Sequence, residues 1–87
     1  MPGIARNAGD DVAGGSITQG SGNVFADGAP VARVGDTIGG HGDDEHESAV
    51  MAAGSPNVFA NNIPVSREGD PASCGHVASG SSDVFVN

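Results

Sequence analysis

The chain has 87 residues, 15 of them glycine, with three Phe and neither Trp nor Tyr, and it sets eight Asp and three Glu against Arg6, Arg33 and Arg67 for a formal net charge of −8. That size fits a single domain spanning 1–87, with so little core material that domains of this kind usually recruit a disulfide, a metal or a partner subunit. One cysteine excludes an intrachain disulfide, the acidic balance argues against electrostatic binding to nucleic acid, and no apolar run reaches the length of a membrane span or a signal-peptide core.

In chain order, "RNAGD" (6–10) comes first and reads as the tail of a repeat whose opening lies elsewhere. "GSGNVFADGAPVARVGD" (20–36) is a full copy, and it aligns without gaps to "GSPNVFANNIPVSREGD" (54–70). "GSSDVFVN" (80–87) opens a third copy that "RNAGD" completes, as in a circular permutation. Within each copy the apolar residues alternate, Val-Phe-Ala or Val-Phe-Val, which predicts short strands rather than helices. "ADGAP" and "ANNIP" predict hairpin turns, because Asp, Asn and Gly tolerate left-handed backbone. "ESAVMAAG" (47–54) is the nearest approach to a helix but is short, and is read as another strand. The expected buried set is Ile4, Val24, Phe25, Val31, Val58, Phe59, Val65, Val84 and Phe85. Because alternate residues face opposite ways, one of each Val–Phe pair is a candidate for a second apolar surface.

Three similar hairpin units predict an all-β domain with pseudo-threefold symmetry, a shape suited to the axis of a true trimer. The same repetition also follows from simple duplication within a small β domain, and the residues alone leave both readings open.

From the Gly-Asp step that closes one copy (9–10, 35–36, 69–70) to the Gly-Ser step that opens the next (20–21, 54–55, 80–81) the chain advances 11, 19 and 11 residues, and the longer interval holds "GGHGDDEHES" with His41 and His46. The third interval holds "SCGHV" with Cys74 and His76, which on an extended strand face the same side and reach one ion together. Three imidazoles and a thiolate form a closed, four-coordinate set suited to a structural zinc, which supplies folding energy to a small core. The alternative is that the histidines are solvated loop residues and Cys74 a small buried apolar group. Asp43, Asp44, Glu45 and Glu47 lack the spacing of a calcium loop and read as a solvated acidic loop. Cys74 and His76 lack the third, orienting residue of a nucleophile–base pair, so no enzyme is expected.

The "GSxxVF…P-V-x-R-x-GD" frame, with "CGH" and the closing "GSSDVFVN", resembles the PAAR-repeat family over essentially the whole chain. The name-giving Pro-Ala-Ala-Arg stands here as "PVAR" (30–33) and "PVSR" (64–67), and "GDDVAGGS" has no histidine where many relatives carry one. The resemblance implies a small cone of short strands with zinc near its tip, held by three histidines and a cysteine; His41, His46, Cys74 and His76 match that set in number and type. It further implies a cap, one per trimer, on the β-helical spike of a contractile injection machine, either VgrG in type VI secretion or the central spike of a phage tail. Such a cap sharpens the spike for transient passage through a target membrane, with any effector cargo docked non-covalently, and its place is the spike tip of the virion or of the secretion apparatus assembled in the cytoplasm. The rival implied function is a zinc-binding adaptor that docks an effector or other protein onto the spike. Val24, Phe25, Val58, Phe59, Val84 and Phe85 are the candidate spike-facing residues.

Overall fold

The structure is a computed structural model that describes residues 1–7, 9–12, 14–40 and 48–87. Among them there is no helix. Six two-residue strands, β1 (Asp11–Val12), β2 (Gly15–Ser16), β3 (Phe25–Ala26), β4 (Ala29–Pro30), β5 (Phe59–Ala60) and β6 (Ile63–Pro64), pair consecutively into antiparallel hairpins. Asp27 (φ 53°) with Gly28 (φ 80°), and Asn61 (φ 56°) with Asn62 (φ 65°), put two successive residues in the left-handed region, the type I′ geometry that matches strand twist in a two-residue hairpin.

The third hairpin is assembled from the two chain ends. Phe85 pairs with Gly3 as Phe25 pairs with Pro30 and Phe59 with Pro64. The bond from Ile4 N–H to Val84 O (2.9 Å) repeats those from Val31 to Val24 (3.0 Å) and from Val65 to Val58 (3.1 Å). The circular permutation expected from the sequence is therefore present in the fold. Behind the hairpins Ala5 N–H donates to Ser66 O (3.0 Å), Ser66 N–H to Ala32 O (2.9 Å) and Ala32 N–H to Ala5 O (2.9 Å), a closed triangle of backbone bonds around the pseudo-threefold axis. The shape agrees with such an axis, with one extent of 31 Å and two nearly equal ones of 23 and 21 Å.

Beyond the triangle a second set of hairpins recurs. β1–β2 is the first, Thr37 paired with Val50 the second, and Pro71 paired with Val77 the third. Val50 and Met51 lie in bridges, in keeping with a strand reading of that segment, whose first residue, Glu47, lies outside the described residues. Val12, Ile38 and Ala72 pair in turn with Ala78, Ile17 and Met51, so each hairpin is stitched to its neighbour.

Two apolar clusters result. Ile4, Ala26, Val31, Ala60 and Val65 form one, and Ala5, Val12, Ile17, Ala32, Ile38, Ala49, Met51, Ala72 and Ala78 the other. Neighbours on an extended chain face opposite ways, so Ile4–Ala5 and Val31–Ala32 each give one residue to either cluster, and the triangle lies between the two. The buried set expected from sequence holds for Ile4, Val31 and Val65 and is corrected for the rest. Phe25 (57 % exposed), Phe59 (55 %), Phe85 (48 %) and Val24 (39 %) face outward, and Val58 and Val84 are half-buried. The inward positions on the outer strands belong to Ala26 and Ala60, which pack with Ile4, Val31 and Val65, and Val86 packs against them from the third unit.

Candidate metal centre and docking face

Cys74 and His76 sit on the tip of the third hairpin of the second set. The bonds from Ala72 N–H to His76 O (2.8 Å) and from Gly75 N–H to Ala72 O (2.9 Å) close a tight loop, with Gly75 at φ 93° where a side chain is disfavoured. The two residues therefore lie on a turn and its exit, not on the extended strand expected from the sequence. They converge all the same, with Cys74 Sγ 3.9 Å from His76 Nδ1. Cys74 is half-buried against the larger apolar cluster, while His76 is exposed.

The described ends of the second hairpin lie beside them. Ile38 N–H bonds Ala49 O (3.0 Å), and Val50 O and N–H meet Ser73 N–H (2.7 Å) and Ser73 Oγ (3.1 Å). His41 and His46, the other two expected ligands, lie outside the described residues, as do the acidic residues Asp43, Asp44, Glu45 and Glu47. Among the described residues no third His, Cys, Asp or Glu joins Cys74 and His76 in a cluster able to hold a metal. The pair itself fits zinc. A thiolate and an imidazole on one tetrahedral zinc stand about 3.6 Å apart, for bonds of about 2.3 and 2.05 Å, a few tenths from the separation here.

At the other end of the molecule, each hairpin of the first set carries one exposed phenylalanine, Phe25, Phe59 or Phe85, at equivalent positions. Of the six candidate docking residues these three are prominent, Val24 is exposed beside them, and Val58 and Val84 support the smaller core.

Sequence reasoning used the Gly-Asp steps as repeat markers and missed what the neighbouring arginines do. Asp36 Oδ2 accepts from the backbone N–H (2.7 Å) and Nε (3.2 Å) of Arg33, and Asp70 Oδ2 from those of Arg67 (2.8 and 2.9 Å). In the third unit Arg6 Nε bonds Asp10 Oδ2 (2.8 Å) one residue further along the chain. All three aspartates are buried. The signal was available, since arginine stands three residues before the aspartate in both complete copies. Hydrogen bonding to Asp10 and Asp70, opposed in part by burial, raises the pKa of Arg6 and Arg67 above the ordinary arginine value. A raised pKa on a cation gives stability that is present below the ordinary value and lost only above it, so alkaline titration to about pH 10 leaves these clasps charged. Asp70→Ala is expected to cost roughly 2–3 kcal/mol in urea unfolding, because it strands both a backbone N–H and a guanidinium; Glu68→Ala, at an exposed position in the same turn, is expected to change stability by less than about 0.5 kcal/mol.

The units are also clasped to one another. The buried Ser81 hydroxyl and Arg6 Nη1 (3.0 Å) both bond Asp27 Oδ2, and Ser21 Oγ (2.6 Å) and Arg33 Nη1 (3.2 Å) both bond Asn61 Oδ1. Each of the three serines also accepts the N–H groups two and three residues on, as in Ser55 with Asn57 (3.2 Å) and Val58 (3.0 Å), which fixes the start of every outer strand. The Gly-Ser steps that marked the repeats are therefore turn caps.

A small all-β domain that repeats a hairpin unit three times around an axis, and completes the third unit with its own two ends, belongs to the class of pseudo-threefold structural modules. The family model for the PAAR motif matches residues 10–77 and again residues 41–87, two overlapping registers as an internal repeat requires, and the chain belongs to that family. A search among curated proteins gives no match. The PAAR motif family is associated with spike-tip proteins of contractile injection systems, and its members generally sit on VgrG-type spikes.

Proposed function

We propose that this protein is the tip of a contractile injection spike, on a phage tail or in a type VI secretion apparatus, where one chain caps and sharpens one trimeric β-helical spike. The observation that carries the proposal is the recurrence of one exposed phenylalanine on each of three equivalent hairpins, one of them built from both chain ends. A trimeric β-helix ends in three equivalent strand edges that invite further pairing, and a monomer with three similar units meets all three at once. The opposite end, carrying Cys74 and His76, then points away from the spike. There His41, His46, Cys74 and His76 would hold one zinc, whose contribution is to cross-link two adjacent hairpin loops where little apolar volume is available. A closed set of four protein ligands leaves no position for a substrate, and the protein acts as a mechanical part rather than an enzyme. The tip travels with the spike through the target membrane.

Stoichiometry tests the proposal. Mixed with the VgrG-type spike encoded in the same genome, the protein is expected to give a complex whose mass by light scattering corresponds to one chain per spike trimer. Three chains per trimer, or separate elution of the two proteins, would refute the cap.

A further inference from the structure

The hydrogen-bond alternation of the three outer hairpins fixes which backbone groups remain to be paired. In an antiparallel pair, directly opposed residues alternate between exchanging both bonds and exchanging none. The bonds Ile4 N–H to Val84 O (2.9 Å) and Val86 N–H to Pro2 O (3.0 Å) bracket Phe85 and Gly3, which puts those two at a site that exchanges none. The same follows for Phe25 opposite Pro30 and Phe59 opposite Pro64, because Val31 and Val65 bond Val24 and Val58 on one side and the two-residue turns close the other. At such sites both N–H and C=O point out of the hairpin.

Among the described residues the outward carbonyls of the inner strand are already used, and of its three outward positions only Gly3 keeps an N–H. Pro30 and Pro64 have no N–H. The carbonyls of Pro30, Pro64 and Gly3 accept from Asn7 (2.8 Å), Val34 (3.0 Å) and Glu68 (2.7 Å) of the adjoining units. On the outer strand the N–H and C=O of Phe25, Phe59 and Phe85 have no such cross-unit bond among the described residues, and each residue is about half exposed. The molecule therefore presents three equivalent open edges, each one residue long, with a phenylalanine ring at each.

We infer that docking occurs by strand addition at Phe25, Phe59 and Phe85, each giving one N–H and one C=O to a strand of a partner with threefold symmetry, while the strands bearing Pro30 and Pro64 stay sealed against addition. The inference rests on the cap reading above and adds its register. A one-residue edge is too short to pair stably with a lone strand, which protects the free protein from edge-to-edge aggregation; three edges engaged together make up for that shortness.

Amide hydrogen exchange reads this directly, with the VgrG-type spike of the same genome as the probe. In the free protein the amides of Phe25, Phe59 and Phe85 are expected to exchange within about tenfold of the unprotected rate, while those of Ile4, Val31, Val65 and Val86 exchange at least roughly 100-fold more slowly. On addition of the spike the three phenylalanine amides slow together, by roughly 100-fold or more. Phe59→Pro, which removes one edge N–H that the fold does not use, is expected to weaken spike binding about tenfold, whereas Phe59→Leu, which keeps it, weakens binding less. Binding in which the phenylalanine amides stay fast, or a free protein in which they are already protected, overturns the edge register and leaves the cap reading standing. No binding at all overturns both.

Discussion

Protein purified without added metal is expected to carry about one zinc per chain, and Cys74→Ser to lose it or hold it so weakly that dialysis against a chelator removes it. Cys74 is the only thiol the chain can offer, and its half-buried place against the larger apolar cluster gives it the dry surroundings in which a zinc–sulfur bond is strong. Its partner His76 is already within a few tenths of an ångström of the spacing two zinc ligands take. Bound metal stabilises the folded state by mass action, so metal removal is expected to lower the thermal midpoint by roughly 10 °C or more in a domain of this size. The cobalt-loaded protein is expected to show the strong visible absorption of a closed tetrahedral site rather than the weaker bands of an open five-coordinate one. Zinc-free protein with the same midpoint as the purified wild type would remove the metal from the account, and the hairpin triangle would have to hold the fold alone.

How much of this was legible beforehand differs between the repeat and the site. Repetition, hairpin turns and circular permutation were all readable, because Asp-Gly and Asn-Asn state their backbone conformation locally and "RNAGD" stands where the third copy lacks its tail. The orientation of the outer strands was not. Period-two alternation separates two faces but does not say which is inward, and the rule that large apolar residues go inside fails on the outer strands, where Ala26 and Ala60 take the inward positions and Phe25 and Phe59 the outward ones. Burial depended on symmetry, which no single window of sequence contains.

The Cys-x-His pairing was anticipated for an imperfect reason. An extended strand places residues two apart on one face, yet here a left-handed Gly75 folds the chain back to bring the same two side chains together. The glycine between them was the local sign of a turn. The Arg–Asp clasps were missed because three arginines in an acidic chain read as residual charge. Their function shows only when Asp36 and Asp70 are seen capping the arginine's own backbone N–H as well as its side chain, which ties the charge pair to the shape of the turn.

Replacing Phe25, Phe59 and Phe85 together by serine is expected to abolish measurable capture by the VgrG-type spike while leaving the isolated protein folded. All three rings are about half exposed, so truncation removes little of the core, and the thermal midpoint is expected to stay within about 5 °C of wild type. At an interface the same rings become central apolar anchors, where each truncation costs on the order of 1–2 kcal/mol and the three together roughly 100-fold or more in affinity. Serine keeps every backbone N–H, so this variant isolates the rings from the main-chain edge that Phe59→Pro interrupts. The single variants carry the symmetry argument further. If the three units meet equivalent partners, Phe25→Ser, Phe59→Ser and Phe85→Ser lose affinity by similar factors, even though Phe85 lies next to the chain end and the other two lie within closed hairpins. A loss confined to one of the three would mean that a single face docks, which is how an adaptor for another protein behaves and not how a cap sits on a threefold axis.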